Sequence, residues 1–497
     1  MNVLEIISDQ HHAGCIGVAG HRQAITPNLD RLAREGVRFT AAYTQNPICT
    51  PSRVSVLSGQ YCHNHGYYGL SGPRPDRLPS FLQHFRAHGY RTAGIGKLHL
   101  PNVPRDWLLE HCDLYRECYE YGPSSEKSAF YAYLEERGLR EKEDSIWLPE
   151  FPGSHHHDAR PSWLPFEHCV EGWCVREAIR FMDECGDRPF AMQVSLPRPH
   201  QAFTPDRRFW EMYPADLELP ATLNLEPVHR PPHFRAMYEW YHQNEGLIEP
   251  KDFAHWARRV WRGYLACVTQ VDYAVGLLLD YLERTGKAAN TIVVYHSDHG
   301  GYHGIHGLPE KAPGICSEAV CRIPMIWRVP GIPPRVSHRL VENVDLAATL
   351  PVLCGLPAME TVDGRDLSGL LRDDVPVREV AVTENPWSKS IRWDRWRYVH
   401  YHPEIFGTET GELYDLASDP DETRNLFGEE PAVVAECRRR LLDWLVRTTR
   451  VKTMWPTLTN DDWDRPNYRT AADGTLANGH DPAALAQRLE LWMKNYL

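Results

Sequence analysis

The sequence predicts an α/β fold: a large, mostly parallel mixed sheet flanked by helices, and a small C-terminal α+β subdomain with an antiparallel sheet. The first observation is that short apolar runs suited to buried strands alternate with segments of helical periodicity over most of the chain. The second is a change after VDGRDLSGLL, where short strand-like pieces separated by turns replace this alternation. The length of 497 residues favours one large domain plus a smaller one.

The elements of the large sheet follow in chain order. NVLEIIS, at residues 2–8, predicts a buried strand, and TPNLDRLAREG begins with a threonine cap and a proline and ends at a glycine, which is typical of a helix. FLQHFRAHGYRTAGIGK repeats the order of helix, glycine and strand, while RPFAMQVSL and NTIVVYHSD predict two more buried strands. YLACVTQVDYAVGLLLDYLERTG predicts a long amphipathic helix. Residues 200–260, rich in proline, histidine and aromatic residues, predict an insertion of loops over one end of the sheet.

These patterns predict a large domain at residues 1–374, a C-terminal subdomain at 375–450 and a tail at 451–497. In the subdomain, REVAVTENP, SIRWDRWRYVHY and GELYDL predict antiparallel strands, and AVVAECRRRLLDWLVR predicts the helix that follows. Several aromatic side chains in the tail would be exposed if the tail were free. They predict a homo-oligomeric interface, as a dimer or tetramer, with folding back over the same chain as the alternative.

Composition narrows the class of protein. Apolar residues make up 42% and charged residues 24%, which is ordinary for a globular protein. The net charge of -12, without a run of lysines or arginines, disfavours nucleic-acid binding but allows a small anionic substrate in a local cationic pocket. Thirteen cysteines without closely spaced pairs fit a reducing compartment. We find no leader-like N-terminus and no window apolar enough to cross a bilayer, so we expect a cytoplasmic protein without membrane contact.

Polar side chains follow two of the predicted buried strands. Asp9 and Gln10 come after NVLEIIS, and Asp298 and His299 come after TIVVYHS. Because the carboxyl ends of parallel strands meet at the ligand-binding edge of such a sheet, we expect these side chains to lie together. Carboxylate and amide oxygens with one imidazole suit a hard divalent cation. A single aspartate there is more often a cap or turn residue, so the metal interpretation depends on both pairs.

The stretch NPICTPSRVSVLSGQ places Cys49 at the start of a predicted helix. Pro51 suits the first helical turn, and Arg53 follows four residues after the cysteine. The N-terminus of a helix binds anions and lowers the pKa of a thiol. An isolated C-x-P-x-R pattern is better explained by a buried structural cysteine, so the reactive interpretation needs support from the other motifs.

Three further segments carry cationic or imidazole groups. GIGKLHL places Lys97 and His99 on the same face of a strand end, since side chains two residues apart point the same way. His200 directly follows a predicted buried strand, and Lys311 lies in a loop rich in glycine and proline after Asp298. Singly, each is more simply a solvated loop charge. If they converge, they would hold a tetrahedral oxyanion and donate protons to a leaving group.

Together, these motifs resemble the formylglycine-dependent (type I) sulfatases of the alkaline phosphatase superfamily. CTPSRVSVLSG is similar to their C-x-P-S-R signature, and the remaining pieces appear in the order of the family: DQ, TPNLDRLAREGVRF, GKLH, PH, SDHG…HG…K, VDGRDL and GELYDLASDPDETRNL. The resemblance runs from Asn2 to about Leu426 and does not cover the tail after Val451. It implies an alkaline phosphatase-like fold and hydrolysis of a sulfate ester.

The resemblance also implies a cofactor chemistry. A formylglycine-generating enzyme would oxidise Cys49 to formylglycine, whose hydrate attacks sulfur and later expels sulfate. Asp9, Gln10, Asp298 and His299 would hold one divalent cation together with the modified residue.

The remaining roles are implied in the same way. Arg53 and Lys97 would steady the formylglycine and the substrate oxygens, and His99 would help to deprotonate the hydrate. His200 and Lys311 would hold sulfate and protonate the leaving oxygen.

Two positions depart from the family pattern. Many members carry a second aspartate in place of Gln10 and an asparagine in place of His299. The lower charge leaves the metal open, with calcium expected first and manganese or magnesium as alternatives.

Two other functions compete with the sulfatase interpretation. The related phosphonate monoester and phosphodiester hydrolases tend to lack the Lys-x-His pair that this chain has at Lys97 and His99, which favours sulfate esters. A catalytically inactive binding or scaffold protein would have lost ligand residues, and none of the expected positions is vacant in the sequence. The substrate, whether an aryl, sugar or choline sulfate, is left open.

Overall fold

The large predicted sheet is present in the computed structural model, which describes residues 1–70, 78–100, 111–119, 128–143, 159–243, 253–309, 311 and 314–450. Its eight strands lie in the order β4-β3-β5-β1-β6-β7-β2-β8. They are Asn2–Asp9 (β1), Val37–Tyr43 (β2), Arg91–Gly96 (β3), Leu114–Glu117 (β4), Phe190–Pro199 (β5), Thr291–Ser297 (β6), Arg322–Arg328 (β7) and Arg335–Glu342 (β8). Only β7 runs antiparallel to its neighbours, so the prediction of a mostly parallel mixed sheet is confirmed.

Helices flank the sheet. They are Pro27–Glu35 (α1), Cys49–Ser58 (α2), Cys62–His65 (α3), Phe81–Ala87 (α4), Ala129–Glu136 (α5), Val170–Cys185 (α6), Arg207–Trp210 (α7), Pro232–Gln243 (α8), Phe253–Arg284 (α9), Glu318–Cys321 (α10), Asp345–Leu353 (α11), Ser368–Asp373 (α12), Pro403–Phe406 (α13) and Pro431–Thr448 (α14). Side chains of β1 alternate between two apolar cores, because Leu4 and Ile6 pack with α1, α6 and α9, while Val3 packs with α2, α4 and α11. The sheet is therefore buried on both faces.

The register of the central strands places their polar ends side by side. β1 lies between β5 and β6, and Ser8 is paired with Ser297. Asp298 follows directly, and its backbone N–H donates to the carbonyl of Ser8 at 3.1 Å. The first residues after β1, β5 and β6 thus emerge at one edge of the sheet.

The helices α7, α8 and α9 correct two expectations, and the first concerns the long helix α9. It contains a window long and apolar enough, by length and composition, to cross a membrane, although 83% of that window is buried inside the protein. The expectation that no such window exists is therefore wrong, and the burial is that of a core helix. The stretch 200–260 is not made of loops alone, since it contains α7, α8 and the first residues of α9.

A small antiparallel sheet follows the large one. Its strands are Val380–Glu384 (β9), Ser388–Trp393 (β10), Trp396–Tyr401 (β11) and Gly411–Asp415 (β12), hydrogen-bonded in the order β12-β11-β10-β9. Helix α14 packs against it through an apolar cluster that includes Val434, Cys437, Leu441 and Trp444. The small α+β unit is confirmed, whereas the domain boundary after residue 374 stays a prediction. The tail, residues 451–497, lies outside the described residues, and so does the interface predicted for it.

Candidate active site

Two carboxylates lie at the shared edge of β1 and β6, as the sequence predicts. Asp9 is the last residue of β1 and Asp298 follows β6, and both side chains are fully buried. Buried charges are costly unless they are paired or bind a metal. The groups that pair with these two carboxylates therefore define the site.

Helix α2 brings Cys49 and Arg53 to the two carboxylates. Cys49 is its first residue, and Ile48 offers no side-chain cap, so the N-terminal end of the helix faces the site. The spacing of four residues puts Arg53 on the same helical face as Cys49. Arg53 donates from Nε to Asp298 Oδ2 at 2.9 Å and from Nη2 to Asp9 Oδ2 at 3.1 Å. A single guanidinium thus bridges the two strand ends.

Arg53 pairs with the Oδ2 atoms of Asp9 and Asp298, whereas their Oδ1 atoms both lie near the Nε2 atom of His299. Asp9 Oδ1 and Asp298 Oδ1 each lie 3.8 Å from His299 Nε2, and Cys49 Sγ lies 3.3 Å from the same nitrogen. The four donor atoms all lie within 4.8 Å of one another, and all four side chains are buried. Two carboxylate oxygens and an imidazole fit a divalent cation, with residue 49 as a further ligand. We call Asp9, Cys49, Arg53, Lys97, Asp298 and His299 the active-site cluster.

The ring of His299 is oriented for binding through Nε2. Its Nδ1 lies 2.7 Å from the carbonyl of Gly300, which fixes the proton on Nδ1 in the neutral ring. Burial opposes charge on this ring, but Asp298 and Cys49 raise its pKa above the usual value. A cation bound at Nε2 would compete with the second proton, which binds at the same nitrogen when the ring becomes charged.

The charges of the cluster keep Asp9 ionised. Burial alone would raise the pKa of Asp9, but Lys97, His200 and Arg53 hold it well below its usual range. Lys97 Nζ lies 2.5 Å from Asp9 Oδ2. The pKa of Cys49 is also lowered, because Lys311 and Lys97 outweigh burial and the charge of Asp9. A thiol of this kind is more reactive than an ordinary buried cysteine.

Lys97 and His99 reach the site from a turn rather than from a strand. Strand β3 ends at Gly96, and His99 has a left-handed backbone with φ of 49°. The prediction that both residues share one face of a strand end is therefore wrong, although the turn still delivers them to the site. The hydroxyl of Thr50 donates to the carbonyl of His99 at 3.1 Å, which ties the turn to the residue next to Cys49. Burial, together with Lys97, holds the pKa of His99 well below its usual value.

Gln10, His200 and Lys311 converge beside the cluster. Lys311 Nζ lies 3.0 Å from Gln10 Oε1 and 3.1 Å from His200 Nε2. His200 Nδ1 lies 2.7 Å from the carbonyl of Gln201, so Nε2 is the nitrogen that faces Lys311. Gln10 uses its Oε1 on Lys311, and its place among the metal ligands stays a prediction.

Two side chains of the site escaped sequence analysis. Ser195, in the middle of β5, accepts from Arg53 Nη1 at 2.6 Å and donates to the carbonyl of Lys97 at 2.6 Å. Its place near the end of a predicted strand was the signal that could have identified it. Glu117 accepts hydrogen bonds from the backbone N–H groups of the turn that carries His99. Nothing in the sequence around Glu117 indicates this contact.

Comparison with protein families decides the identity. Residues 1–356 match the sulfatase model, and residues 304–449 match the model for the C-terminal part of N-sulphoglucosamine sulphohydrolase. The chain belongs to the sulfatase family. This family lies within the alkaline phosphatase superfamily, and the protein is a sulfuric ester hydrolase.

Relatives of this sulfatase cover nearly the whole chain. A multifunctional alkaline phosphatase superfamily protein, PehA of Trinickia caryophylli, is 27% identical over 96% of this chain and 99% of that protein. The choline-sulfatase of Rhizobium meliloti is 28% identical over 86% of this chain and 82% of its own length. The crystal structure of the phosphonate monoester hydrolase of Agrobacterium radiobacter superposes with a TM-score of 0.76, at 23% identity, over 90% of this chain and 96% of that one. That likeness confirms the fold.

Proposed function

We propose that this sulfatase hydrolyses its ester through a formylglycine formed from Cys49, beside a divalent cation held by Asp9, Asp298, His299 and residue 49. The observation that carries the proposal is the convergence of four buried donor atoms at the N-terminus of α2. Gln10 is proposed as an additional oxygen ligand. Calcium is the proposed metal because most of these donors are oxygens, with manganese or magnesium as alternatives.

The cofactors and the side chains have separate tasks. When bound, the cation supplies Lewis acidity toward the ester, and the hydrated aldehyde supplies the nucleophilic oxygen. Arg53 and Lys97 hold the Oδ2 atoms of the two aspartates, at 2.5 to 3.1 Å, so that the Oδ1 atoms stay turned toward His299 Nε2. The lysine and arginine charges also neutralise carboxylates that burial would otherwise protonate.

His99 is proposed to accept the proton of the attacking hydroxyl. A base must be unprotonated before the reaction, and the lowered pKa of His99 keeps its imidazole neutral at pH 7. Lys311 and His200, 3.1 Å apart, are proposed to hold the sulfate oxygens and to protonate the leaving oxygen. Lys311 supplies a permanent positive charge to this pair, and its ammonium lies within hydrogen-bond distance of His200 Nε2.

The activity test compares sulfur with phosphorus esters. The protein is produced with a formylglycine-generating enzyme, and the peptide that contains Cys49 is analysed by mass spectrometry. We expect conversion at Cys49 and a higher kcat/KM for an aryl, sugar or choline sulfate than for a phosphodiester or a phosphonate monoester. Full sulfatase activity in protein that contains only the thiol would contradict the mechanism.

Phosphonate monoester or phosphodiester hydrolysis is the second candidate. It is favoured by the relation to PehA and by the fold shared with a phosphonate monoester hydrolase. The same substrate panel decides between them, because a higher kcat/KM for the phosphorus esters would select this candidate. A protein that converts Cys49 yet acts on neither class would exclude both.

Two further proposals depend on the sequence alone. We propose a cytoplasmic location, because thirteen cysteines without closely spaced pairs fit a reducing compartment, and a dimer or tetramer assembled through residues 451–497. Light scattering on the full chain and on a chain that ends at residue 450 tests the assembly. A monomeric full chain, or an unchanged oligomer after truncation, would contradict it.

A further inference from the structure

The turn that carries Lys97 and His99 is held from outside the active-site cluster. It follows β3, and its backbone at His99 is left-handed, with φ of 49°. For a residue with a side chain this conformation costs about 1–2 kcal/mol, so other contacts must stabilise it. Three of them lie on the carbonyl side: Arg53 Nη1 and Ser195 Oγ donate to the carbonyl of Lys97, and the hydroxyl of Thr50 donates to that of His99.

The N–H side of the turn is held by one carboxylate together with two backbone carbonyls, since the N–H of Lys97 donates to Ser195 at 3.0 Å and that of Leu98 also donates to Gly96 at 3.1 Å. Glu117 is the last residue of β4, and its register partner in β3 is Gly96, directly before the turn. Its Oε2 accepts from the backbone N–H groups of Leu98 and His99, both at 3.1 Å. Its Oε1 accepts from the N–H groups of Cys118 and Tyr119, at 3.0 and 3.3 Å. One carboxylate thus joins the end of β4 to the turn after β3.

We propose that Glu117 is a positioning residue for catalysis, which sets the place of His99 through the backbone of residues 98 and 99. This inference rests on the role proposed for His99. Glu117 contacts backbone N–H groups and, at 3.5 Å, the hydroxyl of Tyr115, and it is assigned no contact with substrate or cation. A carboxylate suits this position because each of its two oxygens accepts hydrogen bonds from backbone N–H groups. A side-chain amide has an oxygen on one edge only, and its other edge is an NH₂ group that cannot accept from an N–H.

The geometry predicts what an amide would do. In Glu117→Gln, one edge of the side chain directs an N–H₂ group at backbone N–H groups, so one of the two pairs of hydrogen bonds is lost. If the turn at His99 relaxes, its imidazole moves relative to residue 49, and displacements of about 1 Å reduce rates by up to about 100-fold. We expect kcat to fall by about 10- to 100-fold, with KM changed less than about threefold, because His99 acts on the nucleophile rather than on substrate binding.

Asp113 provides a matched control next to the same strand. It directly precedes β4, and its carboxylate accepts from the backbone N–H of Thr92 at 2.9 Å, so it also joins β4 to β3, but at the other end. Asp113→Asn should change the melting temperature without changing kcat or KM. A loss of kcat in Glu117→Gln that Asp113→Asn reproduces would show general damage to the strand pair and would overturn the proposal.

A double-mutant cycle with His99→Ala is the decisive measurement, using enzyme converted at Cys49 and loaded with calcium. If Glu117 acts through His99, adding Glu117→Gln to His99→Ala should cost less than about threefold in kcat. Additive losses would overturn the proposal.

If His99→Ala alone retains activity, the proposed role of His99 fails instead. Should Glu117→Gln not fold, Glu117→Asp replaces it, and full kcat in that shortened carboxylate would also contradict the inference.

Discussion

Two clusters of buried charged side chains in this sulfatase, the active-site cluster and a second group, differ in how their charges are paired. The second group lies where the segment before α8 meets the small sheet, and we call Arg230, Arg397, Glu412 and Glu422 the junction cluster. Arg230 Nη1 lies 3.0 Å from Glu412 Oε1, and Arg397 pairs with Glu422. All four side chains are buried.

In the junction cluster both oxygens of each carboxylate are bonded. Glu412 also accepts from the hydroxyls of Tyr414, at 2.7 Å, and Tyr401, and Glu422 Oε2 accepts from the backbone N–H of Glu318 at 3.0 Å. Although burial opposes it, Arg230 lowers the pKa of Glu412. The cluster contains two arginines and two glutamates, so its formal charges balance.

In the active-site cluster, by contrast, arginine and lysine pair with one oxygen of each carboxylate. Arg53 and Lys97 take the Oδ2 atoms of Asp9 and Asp298, while both Oδ1 atoms lie 3.8 Å from His299 Nε2. Arg53 and Lys97 thus neutralise one edge of each carboxylate. On the other edge Asp298 Oδ1 accepts from neutral backbone N–H groups, of Gln10 at 3.1 Å and His299 at 2.8 Å, and both Oδ1 atoms lie near the imidazole of His299 and Cys49. A buried ion cluster of this second kind is built to bind a ligand, whereas the first kind holds two parts of the fold together.

The largest expected effect separates the two clusters by activity. Cys49→Ala removes the group from which formylglycine would form, and we expect kcat/KM to fall by at least about 10⁴-fold, as for other enzymes that lose a nucleophile. Stability should change little, because the contacts assigned to Sγ are only those to Asp9 and His299. Ester hydrolysis and thermal unfolding on the same sample check both parts. Retained activity would show that Cys49 is not the precursor of the nucleophile.

The junction cluster should respond in the opposite way. Arg397→Met removes the guanidinium that pairs with the buried carboxylate of Glu422 and leaves Arg230 as the nearby cation. Removing one partner of a buried ion pair typically lowers the free energy of unfolding by about 3–5 kcal/mol. We expect this loss in urea denaturation, with kcat and metal affinity unchanged. Arg395→Met, two residues earlier, removes an arginine that is half-exposed and pairs with Asp415 at the surface, so it should change stability far less. Equal losses in the two variants would contradict the distinction between the clusters.

Much of the site could be predicted because its residues follow strong local signals. Asp9 and Asp298 end apolar runs, and Cys49 starts a helix. His99 was harder, since its left-handed backbone is not indicated by the residue type, which is why the turn was read as a strand end. Glu117 ends a strand of four residues without an apolar pattern, and its contacts are with backbone groups that sequence does not distinguish.

The fold shows the same division between local and long-range information. Strands β1, β5 and β6 are apolar runs and were predicted. Strand β2 was not assigned, since VRFTAAY mixes polar and apolar residues, and its partners β7 and β8 lie almost 300 residues further along the chain. The antiparallel direction of β7 likewise depends on long-range pairing that local periodicity does not report.

A smaller effect concerns a second contact between the small sheet and the large domain. Glu384, at the end of β9, is buried and lies 2.9 Å from His63 Nδ1 of α3, and it also pairs with Lys389. Although burial opposes ionisation, these partners lower its pKa to about 2. Because the folded pKa lies below the unfolded value, the stabilisation is present above about pH 4.5 and is lost as the pH falls toward about 2.

Glu384→Gln should therefore destabilise the protein by about 2–4 kcal/mol at pH 7, and the difference from wild type should shrink below about pH 4.5. Denaturation at several pH values measures it. Glu379→Gln is the control, because Glu379 pairs with Arg440 in the same subdomain but is 82% exposed. A difference that does not depend on pH would show that Glu384 stabilises by packing rather than by charge.

The smallest effect tests how the active-site cluster is charged. Gln10 is neutral, and its backbone is left-handed, with φ of 65°, a conformation that aspartate tolerates better than glutamine. Gln10→Asp should therefore fold, and the added negative charge should tighten binding of calcium by about 10-fold, which is about 1.4 kcal/mol. Calorimetric titration of the metal-free protein measures this change. Asp374→Asn serves as the control, because Asp374 also has a left-handed backbone, with φ of 56°, but lies outside the site. Unchanged calcium affinity in Gln10→Asp would place residue 10 outside the metal's ligands and leave it as the partner of Lys311.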